Sequence, residues 1–285
     1  MSLRTDTRST MKSLRESGRL TFIGGLHRSG TSLVHRCLSD HPDISGFQDT
    51  GVAEDEGQHL QSVYLPASAY GGPGLFGLHR EAYLDESSSL ATQDNALRIL
   101  AEWSQYWDLD RPILVEKSPP NLIRTRFLQA LFPRARFVVV LRHPIAVGYA
   151  TQKWTSFLPV LRSLGVSDRP LLQRWIHTLV EHWLMCYEAF EADRAALERV
   201  HVLRYESFVA DPQGHMDQLC RFLDLSPTTV TREIRQGVND RYWARWEPRI
   251  EGRRSARYAR WLIDRFEKRT QAFGYSLLKP QPLDR

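Results

Sequence analysis

The sequence predicts an α/β protein, a three-layer α/β/α arrangement with a central parallel sheet, and three observations carry that prediction. Short apolar runs at 21–24, 112–116 and 137–141 show no polar alternation, as expected of strands buried on both faces. Each run is followed by a stretch with apolar residues at helical spacing, so strand and helix alternate as they do in parallel sheets. The first run empties into a loop bracketed by Gly25 and Gly30 that opens a helix. That spacing is P-loop-like: backbone N–H groups wrap a phosphate at a helix N-terminus.

Residues 1–18 are polar and charged and have no apolar signal-peptide segment. They are expected to form a flexible lead-in to one domain spanning 1–285. After the loop, Leu33, Val34, Cys37 and Leu38 share a helix face, and His41-Pro42 stops the helix. Residues 44–47 read as a short strand, and 49–59 as an acidic loop or helix start. The glycines and proline of 70–74 exclude regular structure. Helical spacing returns over 90–107, followed by strand 112–116. A helix over 121–132 is closed by Pro133, and 137–141 is the strongest strand. Then come the turn Arg142-His143-Pro144 with its helix, a long amphipathic helix over 170–192 and a strand over 200–204. Asp211-Pro212 reads as an N-cap with proline at the first helical position. The last helix, 258–273, ends at Gly274.

Composition narrows the function classes. The formal charge is +5, and from residue 231 to the end fourteen Lys/Arg face seven Asp/Glu. Such a segment suits nucleic acid, an acidic membrane or a polyanionic small ligand, or simply a solvated helix face. Three cysteines, Cys37, Cys186 and Cys220, are scattered and lack metal-ligand spacing, which points to buried thiols in a reducing compartment. No apolar run reaches the length of a membrane span. A cytoplasmic location is the expectation, and the oligomeric state is not readable.

In open α/β sheets, ligands bind outside the carboxyl ends of the strands. Read in order, those ends are the Gly25–Thr31 loop, Glu116-Lys117-Ser118, Arg142-His143 and Arg204-Tyr205-Glu206. Each of the four supplies a cation. A P-loop NTPase needs a lysine after the second glycine and a strand-end Asp for magnesium. Here Thr31 and Ser32 follow Gly30, the loop cation is Arg28, and the strongest strand ends in Arg142. Fixed cations without a metal suit a nucleotide bearing isolated phosphates.

These segments together resemble the sulfotransferases that use 3′-phosphoadenosine-5′-phosphosulfate (PAPS), in particular the bacterial and tyrosylprotein branches. Gly25-Leu26-His27-Arg28-Ser29-Gly30-Thr31-Ser32-Leu33 is similar to the family's 5′-phosphosulfate loop. Glu116-Lys117-Ser118-Pro119 resembles its strand-end lysine segment, and 137–149 its 3′-phosphate segment. Leu203-Arg204-Tyr205-Glu206-Ser207-Phe208 with Asp211-Pro212 resembles its late strand and helix entry. The resemblance implies a sulfotransferase fold and transfer of a sulfuryl group from PAPS to a hydroxyl acceptor (carbohydrate, phenol, lipid or other natural product). The by-product would be 3′,5′-ADP, with no metal and no nucleic-acid partner.

It also implies roles. Leu26, His27, Arg28, Ser29, Gly30, Thr31 and Ser32 would cradle the 5′-phosphosulfate, with Lys117 as a second cation near the transferring group. Arg142 would hold the 3′-phosphate. The serine that assists it in many members is Ala150 here, so Thr151 is the possible substitute. Tyr205 could pack on the nucleotide, and Gly252-Arg253-Arg254 is the candidate for the family's basic C-terminal loop. The acceptor's proton needs a base, sought among Glu56, Glu54, Asp49 and His59, while His27 could instead touch substrate or nucleotide. Tyr64, Tyr70, Phe76, Tyr83, Trp103 and Trp107 are expected to wall the acceptor pocket, with Trp154, Phe157, Tyr242, Trp243 and Trp246 on a second side. Two other readings compete: a kinase with a degenerate P-loop, which requires magnesium-dependent ATP turnover, and a non-catalytic nucleic-acid-binding module, which requires salt-sensitive oligonucleotide binding.

Overall fold

The computed structural model describes residues 5–154, 176–252 and 256–283. Among them, five strands form one parallel sheet: β1 (Leu20–Gly25), β2 (Ile44–Gly46), β3 (Ile113–Lys117), β4 (Arg136–Leu141) and β5 (Val200–Arg204). Their order is β2-β3-β1-β4-β5, and every pairing is parallel. Every residue of β1, β3 and β4 is buried, which is why these strands read as unbroken apolar runs. The chain leaves β1 toward β3 and β2, then crosses back to β4 and β5. The carboxyl end of β1 is therefore the switch point where such sheets bind ligands.

The first half carries helices α1 (Thr5–Glu16), α2 (Thr31–Ser39), α3 (Gln93–Trp103), α4 (Thr125–Leu131) and α5 (Pro144–Thr151). The second half carries α6 (Ile176–Arg194), α7 (Tyr205–Ala210), α8 (Pro212–Phe222), α9 (Asp240–Glu251) and α10 (Ala256–Gln271). One sheet face packs Ile23, Val115, Val138 and Val140 against Val34 and Leu38 of α2 and Met216 and Leu219 of α8. The other packs Phe22, Leu114, Phe137 and Val139 against α3, α4, α6 and α10. The two cores and the sheet between them make the three-layer α/β/α fold. No helix among the described residues is long and apolar enough to cross a membrane.

Two local expectations are corrected and one helix is added. The described part of the lead-in is folded: α1 packs on α3, its Met11 and Leu14 are 2% and 4% exposed, and Arg15 Nε donates to Leu131 O at 2.7 Å. Two apolar residues three apart suffice because α3 offers a matching face, a signal too short to read locally. The pattern over 121–132 is split into a 3₁₀ turn, Pro119–Ile123, and α4. Helix α9 was not foreseen, since Pro248 lies inside it and no side chain caps its start. Trp246 anchors it, fully buried with Nε1 donating to Leu277 O at 2.7 Å.

Candidate active site

The loop after β1 is shaped by close approaches. Gly30 has φ 105°, and a Cβ there would lie 2.4 Å from Tyr205 Cδ2, so only glycine lets the ring of Tyr205 lie against the loop. Arg28 has φ 69°, and Ser29 N donates to Leu26 O at 3.0 Å, which closes the turn. Helix α2 starts at Thr31 with Gly30 as an N-cap that makes no side-chain bond. The N–H groups of Thr31 and Ser32 belong to the first turn, where no intrahelical acceptor is available.

A cleft of about 450 Å³ opens over this loop. His27, Arg28, Gly30, Thr31 and Ser32 form its floor; Glu54, Glu56, Arg142, Ala150 and Tyr205 stand around it; Arg36, Glu233, Arg235, Arg241 and Tyr242 complete the wall. Arginine thus contributes five side chains to this lining and glutamate three.

Arg142, at the end of β4, is 6% exposed. Its Nε and Nη2 donate to Asn239 Oδ1 at 2.9 and 2.6 Å, and Nη1 donates to Arg28 O at 2.7 Å. The guanidinium lies 4.0 Å over the ring of Tyr205. All of these contacts are to neutral groups. Burial pulls its pKa below the ordinary arginine value, with Tyr205 and Glu206 acting against that. Arg28 stacks over Trp154 at 5.3 Å.

Lys117 occupies the end of β3, as expected, but it is not a free cation of the cleft. It is fully buried, and Nζ donates to Glu54 O at 2.8 Å and Glu56 Oε1 at 3.1 Å. It is Glu56 that reaches the cleft wall. Glu116 clamps the same turn from below, accepting from Gly57 N at 3.0 Å, Ser118 Oγ and Asn121 Nδ2. Burial, the dominant cause, pushes the Glu116 pKa up to about 7.

Of the four candidate bases, Glu54 and Glu56 line the cleft and Asp49 and His59 do not. Glu54 Oε2 accepts from Ser32 Oγ at 3.1 Å. His59 stands behind Glu56 with Nε2 4.0 Å from Oε2, and Asp49 is exposed. His27 lines the cleft half-buried, and burial, the largest cause, lowers its pKa to about 3, so the neutral imidazole is favoured. Thr151 does not line the cleft: its Oγ1 donates to His27 O at 3.4 Å, and Ala150 lines the cleft instead. Arg253, Arg254 and Phe157 lie outside the described residues.

The expected acceptor walls are largely core. Phe76 and Trp103 are fully buried, and Tyr64, Trp107 and Trp246 nearly or wholly so. Tyr70, Tyr83 and Trp243 are partly buried against the same core. Helical spacing over 90–107 put Trp103 inward, and Trp103 Nε1 donates to Gly57 O at 3.0 Å. Among the described members of this aromatic set, Tyr242 alone lines the cleft. Sequence reasoning missed Arg36, Arg235, Asn239 and Arg241. Arg36 was findable, one helical turn beyond Ser32 on the same face of α2; the others required knowing that 233–242 folds over the cleft.

Sheet order, loop and arginine-lined cleft define a P-loop-like α/β protein with its cleft at the switch point of the sheet. Its class follows from comparison with known proteins: the chain belongs to the Sulfotransferase family, which it matches over residues 21–229. It is 26% identical over 222 residues to the protein-tyrosine sulfotransferase of Drosophila melanogaster, covering 78% of this chain and 41% of that protein. Protein-tyrosine sulfotransferase 1 of Danio rerio is 27% identical over 209 residues, covering 72% of this chain and 53% of that one. The chain therefore spans about half the length of these curated relatives. In fold it is similar to sulfotransferase STF9 from Mycobacterium avium, with a TM-score of 0.50 and 13% identity over 85% of this chain and 72% of that one.

Proposed function

We propose that this cleft binds PAPS and that the protein transfers its sulfuryl group to a hydroxyl acceptor. The observation that carries the reading is Arg142: a buried guanidinium on the cleft wall, bonded only to neutral oxygens and set beside a backbone cradle. Its uncompensated charge suits the 3′-phosphate, and the Leu26–Thr31 backbone, Arg28 and the Thr31 and Ser32 hydroxyls suit the 5′ end. The acceptor oxygen would bond to sulfur as the bridging P–O–S linkage breaks, releasing 3′,5′-ADP. Arg28 and the start of α2 would stabilise charge developing on the departing oxygen.

For the base, Glu56 is favoured over Glu54, because Lys117 and Gln58 Nε2 hold its carboxylate in place. The protein tyrosine in the relatives' names is one member of the hydroxyl class; carbohydrate, phenol and lipid hydroxyls are others. Calorimetry with 3′,5′-ADP tests the reading. The intact protein should bind it, and Arg142→Ala should weaken it at least about tenfold more than 5′-AMP, the order of one charge-assisted contact. No binding at millimolar nucleotide refutes the proposal.

A further inference from the structure

Asn239 immediately precedes α9, in the N-cap position where asparagine is among the preferred residues. Its side chain does not cap the helix. Instead the amide spans two opposite charges. Oδ1 accepts from Arg142 Nε and Nη2 at 2.9 and 2.6 Å, and Nδ2 donates to Glu206 Oε1 at 2.7 Å. Glu206 is held from the far side, accepting from His143 N at 3.0 Å and from Tyr275 OH at 2.8 Å. A cation on the cleft wall and a fixed anion are thus separated by the width of one amide. A guanidinium has five N–H donors; Asn239 and Arg28 O engage three of them, which leaves two.

We propose that Asn239 is a specificity-determining positioning residue: its amide keeps Arg142 and Glu206 from closing into an ion pair and so reserves the guanidinium charge for a phosphate in the cleft. This rests on the nucleotide reading above. Two charges brought together away from water attract strongly, and a carboxylate satisfies the bidentate fork that a phosphate would otherwise take. A neutral amide fixes the same fork while leaving its charge uncancelled.

The test is calorimetry of the full chain with 3′,5′-ADP and 5′-AMP, comparing the ratio of their dissociation constants. Wild type should prefer 3′,5′-ADP. Asn239→Ala should lose at least about tenfold of that preference, the order of one charge-assisted hydrogen bond, while 5′-AMP affinity is kept. Asn239→Asp, which preserves the shape and adds a carboxylate, should lose it likewise. Adding Glu206→Gln to Asn239→Ala should restore it, which a merely structural defect would not allow. An unchanged ratio in both single variants, or no restoration in the double variant, overturns the inference alone. A wild type that does not distinguish the two nucleotides overturns the functional reading and this inference with it.

Discussion

Replacing Lys117 with methionine would keep most of the buried stem and remove only the charge. Lys117 is fully buried, and the Glu56 side chain it meets is 7% exposed. Breaking a buried ion pair from one side costs about 3–5 kcal/mol, because the remaining charge is left unpaired. Gln58 Nε2 still donates to Glu56 Oε2, and the carboxylate touches the cleft, so the lower end, about 3 kcal/mol, is expected. At roughly 2–4 °C per kcal/mol for a domain of this order of size, the melting temperature should fall by about 6–12 °C. Glu56→Gln alone should also destabilise, by leaving the ammonium unpaired. The double variant Lys117→Met/Glu56→Gln should cost less than the sum of the two, with a coupling of about 1–3 kcal/mol. Urea unfolding followed by near-ultraviolet circular dichroism measures all four proteins. A Lys117→Met variant within about 0.5 kcal/mol of wild type, or strictly additive losses, would refute the reasoning. Lys117 would then be the free cation that the strand-end position alone suggests.

Gly30→Ala should destabilise by about 1–3 kcal/mol, since a Cβ at φ 105° would strain the backbone and push Tyr205 off the loop and away from Arg142. Gly51→Ala is the control, with positive φ but nothing within 4 Å of its Cβ; equal melting temperatures and equal 3′,5′-ADP affinities for the two variants would discredit the packing argument. Glu116 supplies a pH dependence. Its pKa is raised from 4.5 to about 7 in the folded protein, so the folded state holds that proton more tightly than the unfolded chain. Its contribution to stability is full below pH 4.5 and is lost as pH rises through 7. The stability of Glu116→Gln relative to wild type should therefore climb across that window, and a difference that stays flat from pH 4.5 to 8 would contradict the burial assigned to the carboxyl.

Much of the frame was legible because its signals are local. A strand buried on both faces, such as 137–141, needs nothing but its own side chains to declare itself. The loop from Gly25 to Gly30 likewise carries its conformation in residue type, and Arg142 follows from its position at a strand end. Tyr64, Phe76, Trp103 and Trp107 misled because aromaticity marks pocket walls and cores alike, and only packing separates the two. Helix α9 was hidden by Pro248, a residue that ordinarily argues against a helix interior, and is secured by a tryptophan bonded 31 residues away.

By itself, then, the sequence determined the layered parallel sheet, the glycine-bracketed loop and the cation that ends β4. The tertiary structure decided which charges stay available. It closes Lys117 onto Glu56 across 61 residues and sets Asn239 against Arg142 across 97. It also turns Thr151 away from the cleft and brings Arg235 and Arg241 to its wall. Patterning reports which residues seek the interior, a property each residue carries with it. Whether a charge is cancelled or left open depends on which distant side chain the fold brings within hydrogen-bond reach.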